Sequence, residues 1–192
     1  MTATTSSSTP PPKRYIDVTI HYLEMWSRPH ATPRDAPRAD VAVVRAERPT
    51  VAFYRYLYDR VGEPWLWYER RVMSDERLAA IVQDPAVEVQ VLHAGGEPAG
   101  YAELDRRASG EVELAYFGLM PEFIGRGLGA YFLAWTVDLA WDQEPRRLWV
   151  HTCSLDHPRA LAAYRAAGFA EYARERVRIA DPRPLFGARR PD

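Results

Sequence analysis

The sequence predicts an α/β (α+β) fold: a mostly antiparallel sheet flanked by helices, with an extra strand at the N-terminus. Three observations carry this. Residues 87–119 hold three alternating or β-rich runs joined by short turns, which pair most simply as an antiparallel meander. Ahead of the meander lie two helical patterns. Behind it, a glycine-rich segment opens a long apolar helix, followed by strand, helix and strand.

Residues 1–13 are rich in Ser, Thr and Pro and read as a disordered tail. "YIDVTIHYL" (15–23) is β-branched and aromatic, a strand pattern, and the proline-rich "SRPHATPRDAPR" (27–38) is a loop. Residues 14–40 thus read as a strand and loop appended to a core domain at 41–180, with 181–192 as a C-terminal tail. The core begins with "VAVVRAE" (41–47), a strand. Phe53, Leu57 and Val61 then fall on one helical stripe that Gly62 stops. Ser74 is an N-cap for "DERLAAIVQ", which ends before Asp84-Pro85. The meander strands are 87–94, 99–105 and 112–119, turning at "GGEP" and at Ser109-Gly110. The helix over 127–141 is apolar on most sides and therefore buried. A strand (147–153), a helix (158–167, stopped by Gly168) and a last strand (169–179) complete the chain.

Composition excludes several classes. The 192 residues carry a net charge of −1, so no strong field draws the chain to nucleic acid or to an anionic membrane. Cys153 is the single cysteine, which rules out an intrachain disulfide and any cysteine-based metal site. The five histidines show no metal-binding spacing, so no metal is expected. No run is apolar enough to span a membrane, and the N-terminus lacks the apolar region of a secretory signal. A cytoplasmic protein is expected.

"PEFIGRGLGAYFLAW" (121–135) places Gly125, Gly127 and Gly129 at alternate positions ahead of a helix. Each glycine inside a helix costs about 1 kcal/mol relative to alanine, so their presence needs a reason. A helix N-terminus offers unpaired N–H donors, and removing side chains there lets a phosphate approach them. A tight strand-to-helix turn is the other explanation. Gly125, Gly127 and Ala130 also satisfy the G-x-G-x-x-A dinucleotide pattern, but that pattern belongs to a parallel β-α-β unit, and here an antiparallel meander precedes it.

The element order, "GRGLG" in the turn and "HPRALAAYRAAGF" (157–169) near the end together resemble the GNAT superfamily of acyl-CoA-dependent N-acyltransferases, over residues 41–179. Ile124 replaces the usual polar first residue of the family's phosphate motif, and His157 replaces a common asparagine. The resemblance implies a mixed sheet whose strands splay to admit acetyl-CoA as co-substrate. It also implies an N-acetyltransferase that moves the acetyl group to a primary amine by direct attack through a tetrahedral intermediate. The cofactor-binding set it implies is Ile124, Gly125, Arg126, Gly127, Leu128, Gly129 and Ala130 at the pyrophosphate. Leu119 would stabilise the oxyanion, and His157 and Tyr164 belong to the second motif.

Tyr164 falls where many family members carry the hydroxyl that protonates the CoA thiolate; a tyrosine on an apolar helix is otherwise a core residue. Glu113 is the first candidate for the base, with Glu111 at the mouth of the same strand, Glu103 on the neighbouring strand and His151 on the next as the others. Strict alternation puts Glu113 on the same face as Ala115, Phe117 and Leu119, unless a β-bulge changes the parity. Cys153 reads as a core residue. Trp65, Trp67 and Tyr68, with Glu63 and Glu69, make an aromatic-and-carboxylate set that could receive the acceptor or anchor the helices to the sheet. The expected acceptor is a small-molecule amine or an exposed protein amine. The N-terminal strand and its loop could extend the sheet, cover the pocket or form a homodimer. The alternative function is a non-catalytic acyl-CoA-binding or interaction module on the same fold.

Overall fold

The computed structural model describes residues 14–29 and 35–187; the N-terminal tail and the middle of the proline-rich loop lie outside this range. Seven strands form one sheet: β1 (Tyr15–Met25), β2 (Val41–Arg45), β3 (Val87–Ala94), β4 (Glu97–Asp105), β5 (Glu111–Leu119), β6 (Arg147–Cys153) and β7 (Ala170–Ala180). The helices are α1 (Val51–Gly62), α2 (Asp75–Val82), α3 (Leu128–Ala140) and α4 (Ala160–Ala166). Strand order is β2-β3-β4-β5-β6-β1-β7, with every neighbouring pair antiparallel except β5 and β6.

Local chemistry sets the helix boundaries. Thr50 and Ser74 cap α1 and α2 by accepting the backbone N–H of Phe53 and Arg77. α1 ends at Gly62 because the chain folds Trp67 back onto it: a Cβ at Gly62 would lie 2.5 Å from the indole. α1 and α3 occupy opposite faces of the sheet. Tyr116 meets Tyr58 of α1, whereas its neighbour Phe117 meets Phe132 of α3 and Tyr164 of α4.

Two irregularities shape the middle of the sheet. Glu103 pairs with Tyr116 but Leu104 with Leu114, so Ala115 is an extra residue, a β-bulge in β5. The parallel β5–β6 ladder covers only Glu111–Glu113 against Arg147–Trp149. Beyond it the two strands part, leaving a gap through the sheet.

β1 lies inside the sheet, pairing β6 from Ile20 to Met25 and β7 along nearly its whole length. Leu23 is completely buried and Met25 receives the Trp141 indole N–H at its sulfur.

Candidate active site

A cleft of about 1030 Å3 occupies the gap between β5 and β6 and opens on both faces of the sheet. On the α3 face it is bordered by the glycine turn, Ala134 and Tyr164; on the α1 face by Tyr68, Glu69, His151 and Cys153.

The three glycines answer to different constraints. Gly125 and Gly127 have φ of 82° and 78°, left-handed backbone that side-chain-bearing residues rarely adopt. Gly129 is helical, and a Cβ there would meet only Leu119 Cδ1 at 3.6 Å, an ordinary contact. The fold therefore requires glycine at 125 and 127 for conformation, but nothing within the protein requires it at 129, where it borders the cleft. No side chain caps α3 at Gly127, so its first N–H groups face a space that the turn leaves clear. Such an arrangement of donors and open space suits an anion.

The rest of the expected set divides. Ile124 and Ala130 border the cleft, whereas Leu128 is buried in the core, leaving only its backbone to contribute. Arg126 places its guanidinium over the Phe123 ring, 5.1 Å from the centroid, and is not among the cleft-lining residues. His157 borders the cleft, accepts the Arg159 N–H at Nδ1 (3.0 Å) and meets Trp65 edge-on at 4.9 Å.

Leu119 presents its amide to the gap. Met120 N–H donates to the Ala99 carbonyl (2.8 Å), so Leu119, opposite Gly100, holds a non-hydrogen-bonded ladder position. Its N–H points away from β4, toward the side where β6 has departed.

Tyr164 is buried and borders the cleft. Burial pushes its ionisation well above the ordinary phenol range, so it holds its proton.

The candidate bases separate clearly, and Glu111 accepts the Arg147 guanidinium at 3.1 Å, away from the cleft. Glu103 is fully buried; one carboxylate oxygen accepts the Arg70 guanidinium at 2.6 Å and the other the Tyr54 hydroxyl. It does not border the cleft, and its place is in a buried ion pair. Glu113 and His151 come together, with Glu113 Oε1 3.3 Å from His151 Nδ1. The bulge at Ala115 overturns the strict-alternation expectation: Glu113 shares the α1 face with Tyr116 and Gly118, not the α3 face with Phe117 and Leu119. His151 borders the cleft, with Glu113 behind it. The hydrogen bond to Glu113, followed by its charge, raises the His151 pKa above the ordinary imidazole value despite partial desolvation. Burial pushes the Cys153 thiol up to about 11, so it is protonated and a poor nucleophile at neutral pH.

Trp65, Trp67 and Tyr68 all border the cleft. Trp67 is chiefly an anchor, packed on Tyr58 and Tyr116 and donating its indole N–H to Asp156 Oδ1 at 2.9 Å. Asp156 was not anticipated. It also accepts the Thr152 hydroxyl and the Cys153 N–H, both at 2.8 Å, tying the end of β6 to the Trp67 segment. The visible signal was an Asp just ahead of a helix start, a residue suited to bonding nearby backbone N–H groups.

Comparison with known proteins identifies the family and the fold. The profile of the acetyltransferase (GNAT) family matches residues 50–169, and the chain belongs to that family. Among solved structures it resembles a GCN5-related N-acetyltransferase from Kribbella flavida (19% identity, 88% of this chain and 60% of that one, TM-score 0.58). It also resembles a spermidine N-acetyltransferase from Vibrio cholerae in complex with CoA and spermine (18%, 77% and 99%, 0.57). A third is an aminoglycoside acetyltransferase from an uncultured soil metagenomic sample (13%, 67% and 88%, 0.55). The chain spans about three fifths of the length of the first solved structures it matches. No curated protein matches it. Among the described residues no group of three or more His, Cys, Asp or Glu could hold a metal ion, and no helix is long and apolar enough to cross a membrane.

Proposed function

We propose that the protein transfers the acetyl group of acetyl-CoA to a primary amine, on a small molecule or an exposed protein residue, without an acyl-enzyme. The observation that carries this reading is the cleft through the sheet. It has an uncapped helix N-terminus and a protonated tyrosine on one face, and a carboxylate-held imidazole on the other.

Acetyl-CoA supplies the thioester carbonyl that the amine attacks. The backbone N–H groups of the glycine turn hold the pyrophosphate, with Gly129 leaving room for close approach. The Leu119 N–H donates to the carbonyl oxygen as it gains negative charge. His151, neutral and held by Glu113, takes the proton that the attacking nitrogen must lose. Tyr164 gives its proton to the departing thiolate. The new C–N bond thus replaces the C–S bond, and each proton has a named carrier.

Thermal unfolding with acetyl-CoA, against NADH and ATP as controls, tests the binding half. Ligand at 100 times its Kd adds about 2.7 kcal/mol, a rise of roughly 5–10 °C for a chain of this size. CoA release on adding amines tests the transfer half. A shift without release from any amine would favour a non-catalytic acyl-CoA-binding module. No shift with acetyl-CoA, or a shift with NADH instead, would overturn the cradle assignment.

A further inference from the structure

The α1 face of the cleft has a floor built from strands that lie outside the family match. β1 contributes Val18 and Ile20, and β7 contributes Val177 and Ile179. Val18 stands opposite Val177, and Ile20 opposite Cys153, so these side chains share a face with His151. The four residues of this floor that border the cleft are aliphatic, and Tyr22, opposite His151, continues it to the candidate base.

Most charge on this face is paired or stands away from the cleft: Arg147 is bound by Glu24 and Glu111, and Glu175, opposite Ile20, accepts the Tyr22 hydroxyl and does not border the cleft. Asp156 is committed to Trp67, Thr152 and the Cys153 N–H, and Glu113 to His151. Among the carboxylates that border the cleft, Glu69 is the exception. It is exposed at the cleft, and its Oε2 accepts the Tyr58 hydroxyl at 3.2 Å. The Tyr58 oxygen in turn receives the Arg70 N–H, and Arg70 is locked to buried Glu103. Glu69 is therefore held on a fixed segment while retaining an oxygen for a cation, and its charge acts on both His151 and Cys153. Arg159, also at the cleft, opposes a second positive charge.

We propose that the acceptor is a primary monoamine on an apolar body, its amino end between Glu69 and His151 and its body on the Val18, Ile20, Val177 and Ile179 floor. This rests on the transfer reading above and departs from the polycations named for the spermidine and aminoglycoside enzymes. One available carboxylate at the cleft suits one ammonium group. An aliphatic floor gains free energy only from an apolar body.

The test is CoA release by the intact chain at saturating acetyl-CoA, with propylamine, hexylamine, 2-phenylethylamine, spermidine and an aminoglycoside as acceptors. The expected result is preference for hexylamine and 2-phenylethylamine, with the alkylamine KM falling by about fourfold per added methylene. Ile179→Thr should raise the KM for hexylamine and leave that for acetyl-CoA unchanged; Glu69→Gln should raise the KM of every amine. Preference for spermidine or the aminoglycoside, a KM independent of chain length, or acetyl-CoA binding with no amine accepted would each overturn the proposal. The first two would leave the transfer reading standing. Loss of the acetyl-CoA thermal shift would instead mark failure of that reading.

Discussion

At the residue scale, the Glu113–His151 pair makes a signed prediction. Glu113 raises the His151 pKa by favouring the imidazolium, so the neutral base forms only above the ordinary imidazole range. The rate should therefore rise with pH along a limb set by His151. Glu113→Gln removes the negative charge, lowers that pKa and moves the limb to lower pH, while turnover falls because the imidazole loses its partner. A pH–rate profile of kcat/KM for both forms checks this; an unmoved limb would remove His151 from the role. Glu103 shows why a sequence alone left the base open. In the linear chain it looks as available as Glu113, both being glutamates on β-strands. What separates them is non-local: Arg70, 33 residues earlier, and Tyr54 on α1 close over Glu103, while His151 arrives beside Glu113 from β6.

Elements rather than residues create the cleft. The meander, the caps and the buried α3 were legible because each is a local pattern of spacing and turn chemistry. The bulge at Ala115 and the short β5–β6 ladder were not, since both are properties of pairing between strands. The glycine turn was legible as a place but not as a division of labour. Gly127→Val would strain left-handed backbone as well as crowd the cradle, so it cannot separate fold from binding. Gly129→Ala can. Its conformation and surroundings accept a Cβ, so alanine should stabilise the ligand-free chain by up to about 1 kcal/mol. The same methyl group stands where acetyl-CoA must approach and should weaken its binding. Thermal unfolding without ligand and titration with acetyl-CoA read the two effects separately. A variant both more stable and equally tight would remove Gly129 from the site.

For the whole molecule, the question is what joins the N-terminal strand to a family core that the profile begins only at residue 50. The sheet order answers in part: β1 pairs on both edges, so without it β7 would lose its partner and β6 the longer of its two ladders. Glu171 on β7 adds an ionic clasp, accepting from His21 of β1 at 3.0 Å, from Arg165 of α4 and from Arg174 of β7. These partners, His21 first, hold its carboxyl down to about 2 despite partial desolvation. The sign follows from that depression. The clasp's contribution is complete above the unfolded carboxylate value, about 4.3, and is lost as pH falls through the folded value near 2. Glu171→Gln should therefore lower the unfolding temperature at pH 6, and its deficit against the parent chain should shrink as pH falls from 5 toward 2. Tryptophan fluorescence during thermal unfolding is a suitable readout, because Trp149 lies on β6 beside β1 and Trp141 contacts Met25. A deficit constant across that range would mean that the clasp is held by packing rather than by charge. The deficit closing on acidification would show that the added strand is fastened to the core ionically as well as through its backbone ladder.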